Sequence, residues 1–240
     1  MQLLAFLWAC QICFFPPDFE NLYPKDYKKA ADFLKNNKSL FIRKATEYKL
    51  SPQILSAIVF PELMRYDPVR DYLETNGLSV AYDKAGTVAG DFSIGYFQMK
   101  PSFVEALEIE LGKNIAKNAP WALPFKKISL FSQKNGADIR AERFNRLQKI
   151  EWQLDYLAGF YQLVVHKFEK ELKNKDKKAQ LKFISTAYNA GFQRKGVDVE
   201  KLQTYRCFPY GHLAEAHTQY AYSEVVMFYY EQKAANFFNN

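Results

Sequence analysis

At 240 residues, with 48% hydrophobic and 25% charged side chains, the chain is long enough for one substantial core, and disorder is excluded as its main state. Its net charge of +7 suits an anionic polymer, a membrane surface or a bacterial wall. Lys and Arg are dispersed, however, and no nucleic-acid-binding motif accompanies them, so nucleic acid is not expected as a partner.

The first fifteen residues, MQLLAFLWACQICFF, carry no charge and are too few to span a bilayer, which takes about 20 apolar residues. They fit the apolar region of a secretory leader ending near Pro16-Pro17, which gives a division into a leader, 1–17, and a folded domain, 18–240. The expected location is therefore outside the cytoplasm, periplasmic or associated with the outer membrane. Leu7-Trp8-Ala9-Cys10 loosely resembles a lipoprotein cleavage box, which would anchor the chain to a membrane through a lipidated Cys10. Cys10 and Cys13 form a C-x-x-C, but inside an apolar leader it carries little redox meaning, and no disulfide framework follows.

Beyond the leader, residues 25–37 and 39–49 read as two short amphipathic helices. Ser51-Pro52 is a helix start, with Ser at the cap and Pro in the first turn, and that helix is expected to run to about Tyr66. Residues 67–97 lose helical periodicity and read as a long loop or a small β-hairpin. Pro101-Ser102 opens a helix to about Leu111. An irregular excursion follows over 112–137, then one long helix over 138–173, a helix over 176–190 that stops at Gly191, a short helix over 198–205 and a last one over 212–236. The fold class is mainly α, one helical domain with a small irregular or β-hairpin region.

The helix after Ser51 carries the first chemical signal. Ile54, Ile58 and Glu62 succeed one another at intervals of four and share a helix side with Leu55 and Val59. A carboxylate on such a stripe is costly unless it is paired or stays protonated. Two readings fit: a general acid whose pKa burial has raised, or a residue salt-bridged to Arg65 or Arg70. Pro61 removes a backbone donor and is expected to kink the helix before Glu62, freeing the carbonyl of Ala57.

Two further patches bear on the choice. Gly95-Tyr96-Phe97-Gln98 is a Gly-led apolar turn that delivers an amide just before a helix. Ala187-Tyr188-Asn189-Ala190-Gly191 ends a helix with Tyr and Asn beside a stop glycine. Amides both donate and accept, as recognition of an N-acetyl sugar requires. The histidines suggest no metal site: His212 and His217 are five apart, His166 lies elsewhere, and no zinc motif is present. No phosphate loop or nucleophile motif appears either, and no cofactor is expected.

Taken in order, Pro61-Glu62-Leu63, Gly95-Tyr96-Phe97-Gln98, Ala187-Tyr188-Asn189-Ala190-Gly191 and Tyr222-Ser223-Glu224-Val225-Val226-Met227 resemble the motifs of the soluble lytic transglycosylases, and more distantly those of goose-type lysozymes. The resemblance covers about residues 50–105 and 180–230. It implies a lysozyme-like (α+β) domain acting on peptidoglycan glycan strands, with Glu62 as sole acid and base, Gln98, Tyr188 and Asn189 lining the glycan cleft, and Tyr222 positioning Glu62. Cleavage between N-acetylmuramic acid and N-acetylglucosamine would then give 1,6-anhydro ends. Asp91 is the candidate second carboxylate should the reaction be hydrolytic, as in goose-type lysozymes, with Asp83 a poorer one; a non-catalytic wall-binding protein is the rival from another class. Two departures stand out: Leu63 replaces the Ser that follows the family's Glu, and the stretch from Gln98 to Ala187 is longer than usual, with an insertion expected around 112–140.

Overall fold

In a computed structural model, described here for residues 17–67, 82, 86, 92–132, 134–209 and 218–239, the chain is mainly helical. Four helices open it: α1 (Phe19–Leu22), α2 (Pro24–Asn36), α3 (Lys38–Glu47) and α4 (Pro52–Arg65). The middle holds α5 (Pro101–Ala116), a 3-10 helix (Leu123–Ser129), α6 (Gly136–Leu147), α7 (Ile150–Lys167) and α8 (Glu169–Leu172). Then come α9 (Lys177–Ala190), α10 (Gly196–Leu202), strands β1 (Arg206–Phe208) and β2 (Tyr220–Ala221), α11 (Tyr222–Tyr229), a π turn (Tyr230–Ala234) and α12 (Ala235–Asn239). The two strands pair antiparallel, with a register irregularity between Arg206 and Phe208.

α4 is the central element. Every residue from Leu55 to Met64 is buried, and the helix packs against α2, α3, α9, α11 and α12. A helix without a polar face is stable only when surrounded, and this sequence supplies the surround. Its start is the expected one: the Ser51 side chain accepts from Ile54 N–H, and Pro52 occupies the first turn, where a missing N–H costs nothing.

α4 runs through Pro61 to Arg65, close to the expected end at Tyr66, with Tyr66 N–H bonded to the Glu62 carbonyl at 2.8 Å. Other expectations need correction. The long helix expected over 138–173 is three helices, broken at Gln148-Lys149 and at Phe168. Lys149 is extended there (φ −107°, ψ 123°), and the turn exposes the Leu147 carbonyl to the Gln153 side chain at 2.5 Å. The apolar periodicity runs across the break and gives no sign of it.

The excursion expected over 112–137 is ordered in large part. α5 extends to Ala116, and the 3-10 helix buries Phe125 and Ile128 against α5 and α7. The Phe125 ring stacks on Tyr48 with centroids 4.7 Å apart, and Arg146 donates to the Ile128 carbonyl at 2.9 Å and to the Leu130 carbonyl. At the C-terminal end, β2 occupies part of the expected 212–236 helix, which begins only at Tyr222; the Glu224 carboxylate caps it by accepting from Ala221 N–H at 2.7 Å.

In the region expected as a loop or hairpin, Ile94 and Met99 exchange backbone hydrogen bonds of 3.0 and 3.2 Å around the turn 95–98. The leader with Cys10 and Cys13, together with Arg70, Asp83, Asp91, His212 and His217, lies outside the described residues. No described helix is long and apolar enough to cross a membrane, and no described group of three or more His, Cys, Asp or Glu is placed to hold a metal.

Candidate functional site

Glu62 sits near the end of α4, 5% exposed, with its Oε1 accepting from Arg65 Nη2 at 2.6 Å. Of the two readings of this carboxylate, the structure contains the ion pair, and with Arg65 as partner. An i,i+3 spacing brings the two side chains together on one face of the helix.

Two phenols complete the enclosure. Tyr222, the first residue of α11, donates its hydroxyl to the Ile58 carbonyl of α4 at 2.8 Å. That carbonyl lies one turn before Glu62. Tyr188, in the last turn of α9, donates to the Phe97 carbonyl of the 95–98 turn at 2.7 Å. Burial first, and the Glu62 carboxylate second, push both phenols well above the ordinary tyrosine range, so they remain neutral donors. Burial lowers the Arg65 guanidinium, but Glu62 and then Tyr222 outweigh it and hold the group cationic. Arg65 also lies over the rings of Phe208 and Tyr222, 5.7 and 5.9 Å from their centroids. Cys207 is half-buried nearby; burial pushes its thiol up, Arg65 pulls it down and Glu62 raises it, with a net rise.

The 95–98 turn is fixed by side chains remote in sequence. Gly95 has φ +70°, and a Cβ there would come within 1.9 Å of Gln153 Nε2 and 2.8 Å of the Leu147 carbonyl. Only glycine combines that backbone with that space. Gln153, on α7, is fully buried; it accepts from Phe97 N–H at 2.9 Å while donating to Leu147. Gln98 is itself left-handed (φ +50°), and its amide donates to the Gly95 carbonyl at 2.8 Å. Gly191, at φ +98°, ends α9 as expected, leaving Asn189 exposed beside Tyr188.

Thus Glu62, Tyr188 and Tyr222 share one neighbourhood, Gln98 is tied to it through the turn that Tyr188 clasps, and Asn189 lies on the exposed side of the same helix end. Leu63, in the place of the resembling family's Ser, is buried in the core at 2% exposure. Sequence reasoning missed Gln153, although a lone uncharged amide among Trp152, Leu154 and Tyr156 was a signal, and it missed Phe208 and Cys207, which carried none. Beside the site, the rings of Tyr66, Tyr96 and Phe33 form a row, with centroids 4.7 Å and then 4.5 Å apart. A separate cleft of about 470 Å³ is lined by Glu105, Glu108, Ile109, Phe131 and Arg143 among others, and none of the candidate residues reaches it. Its guanidinium is already taken up by Glu108, Glu105 and Tyr82.

No protein-family model, curated protein or solved structure matches the chain.

Removing one phenol tests how the turn is held. Tyr188→Phe keeps the ring packing against Phe103 and Phe160 but leaves the buried Phe97 carbonyl without that donor. A loss of about 1–3 kcal/mol in folding stability is expected, read from the shift in urea midpoint at constant m. No shift would mean that the hydrogen bond does not brace the turn.

Proposed function

We propose that this protein cleaves peptidoglycan glycan strands as a lytic transglycosylase on a lysozyme-like domain, with Glu62 as its acid and base. One observation carries the reading: the hydrogen bonds of Tyr188 to Phe97 and of Tyr222 to Ile58, with α9 packed on both α4 and α11, gather four segments, each bearing one of the quoted motifs, around the buried Glu62. Unrelated surface residues would have scattered.

In this mechanism Glu62, in its protonated form, gives its proton to the glycosidic oxygen as the bond to the anomeric carbon breaks. The resulting carboxylate takes the proton of the sugar's own 6-hydroxyl, whose oxygen closes on that carbon. Glu62 ends protonated again and no water is consumed. The amides of Gln98 and Asn189 suit the N-acetyl groups, and the row of Tyr66, Tyr96 and Phe33 offers apolar ring edges to sugar faces. Export would bring the protein to the periplasm or outer membrane, where this substrate lies.

The short Glu62–Arg65 pair favours a second reading, a wall-binding protein in which the carboxylate is purely structural. Digestion of purified peptidoglycan, followed by mass analysis, separates the alternatives. Products one water lighter per cut than hydrolysed muropeptides are expected. Free reducing ends, lost on Asp91→Asn, would show a hydrolase with a second carboxylate. Binding without cleavage would leave the wall-binding reading.

A further inference from the structure

The turn 95–98 does not hold itself. Gln98 is a non-glycine residue at φ +50°, a conformation that persists only where the surroundings impose it. Both main-chain groups of Phe97 are taken by side chains of distant helices. Its N–H donates to Gln153 Oε1 at 2.9 Å, and its carbonyl accepts from Tyr188 at 2.7 Å. Gln153 in turn donates through Nε2 to the Leu147 carbonyl at 2.5 Å, so its fully buried amide is fixed at both ends. The space left by the absent Cβ of Gly95 is where this amide sits. Tyr188 belongs to a motif quoted above. Gln153 lies on α7, outside both spans of the resemblance, and no step of the chemistry uses it.

We infer that Gln153 is a positioning residue for glycan cleavage: it holds the main chain of Phe97, and with it the turn that presents Gln98, in the shape that grips the strand. The inference rests on the glycan-cleaving reading and divides the work within it. Without Gln153, the Phe97 N–H would be a buried donor with no acceptor, and the turn would shift to satisfy it. Gln98 would move with the turn, because its amide is bonded to the Gly95 carbonyl. Glu62 stands on α4 and pairs with Arg65 of the same helix, so its placement does not run through Gln153. Loosening the turn therefore weakens the hold on the sugar chain more than it slows the breaking of the bond.

The test uses the full chain on soluble peptidoglycan strands, with KM and kcat measured separately for the wild type, Gln153→Met and Gln153→Glu, all at about pH 5. Gln153→Met fills a similar space but offers Phe97 no acceptor and Leu147 no donor. Its KM is expected to rise about 3- to 10-fold, the worth of one hydrogen bond, with a smaller change in kcat. Gln153→Glu is the rescue. Burial raises the pKa of a carboxyl, so at about pH 5 the acid stays protonated, accepts from Phe97 and donates to Leu147. Its KM is expected within about twofold of the wild type's. A merely structural Gln153 gives a different result: partial unfolding lowers the active fraction, and so the apparent kcat, and leaves KM where it was. That outcome, or a KM for Gln153→Glu as high as that for Gln153→Met, overturns the inference and leaves the transglycosylase reading intact. A wild type that cuts no strand overturns both. Should Gln153→Met not fold, judged by circular dichroism, Gln153→Glu decides alone. Between about pH 5 and pH 8 its KM is expected to rise relative to the wild type's, as a carboxylate forms against the Leu147 carbonyl. A constant ratio overturns the inference.

Discussion

Glu62→Gln is expected to lower the rate of glycan cleavage by at least about 10²–10⁴-fold, the usual loss when a general acid is removed. A larger loss follows if one residue serves both proton transfers. The amide preserves the shape of the side chain, and its oxygen still accepts from Arg65 Nη2, now 2.6 Å away. It has no proton to give to a glycosidic oxygen. The fold should survive, because Arg65 keeps its contacts with Phe208 and Tyr222 and part of its side chain remains in water. Initial rates on peptidoglycan, with a thermal melt of each protein alongside, make the measurement. Equal rates for the wild type and a folded Glu62→Gln would end the catalytic assignment.

The largest expected effect on stability lies away from the site. Asp155, buried on α7, accepts from Lys44 Nζ at 2.5 Å and Tyr48 at 2.7 Å through one oxygen, and pairs with Lys127 at 3.0 Å through the other. It is the clasp between α3, α7 and the 3-10 helix. Asp155→Ala would leave the buried Lys44 ammonium with only the half-exposed Glu47, at 3.3 Å, and would strip Tyr48 of its acceptor. Removing one partner of a buried pair typically costs 3–5 kcal/mol, and the residual Glu47 contact puts this case at about 3 kcal/mol. Denaturant unfolding measures it. A loss below about 1 kcal/mol would mean that Lys44 finds water or another partner when Asp155 is gone.

These two residues differ in how visible they were. Glu62 could be singled out because its signal is local: a carboxylate on an apolar helix whose start Ser51 and Pro52 mark, with Arg65 one turn on. The stop of α9 at Gly191 was legible for the same reason, since the backbone requirement sits in one residue. The ends of the expected 138–173 helix were not. Gln148 and Lys149 are good helix formers, and the chain turns there because Gln153, six residues after Leu147, captures its carbonyl. Pro61 lies inside a continuous α4, because tertiary packing on every side of that helix outweighs one missing N–H. The ordered 3-10 helix over Leu123–Ser129 was hidden by Pro124 and by partners far away in the chain, among them Tyr48. What the sequence could not express was distance. The Tyr188 and Gln153 contacts to Phe97 span 91 and 56 positions.

The bond from Tyr222 to Ile58 closes a loop of 164 residues, and this fixes when the site can exist during synthesis. The helix that bears Glu62 leaves the ribosome early, but the phenol that braces it leaves near the end, and contacts so distant in sequence form late because their closure entropy comes due first. A nascent or truncated chain that stops short of residue 222 therefore carries the glutamate without the wall that encloses it. Any activity that depended on this enclosed Glu62 would therefore require a chain completed past Tyr222 and would have no partial form that could be released prematurely.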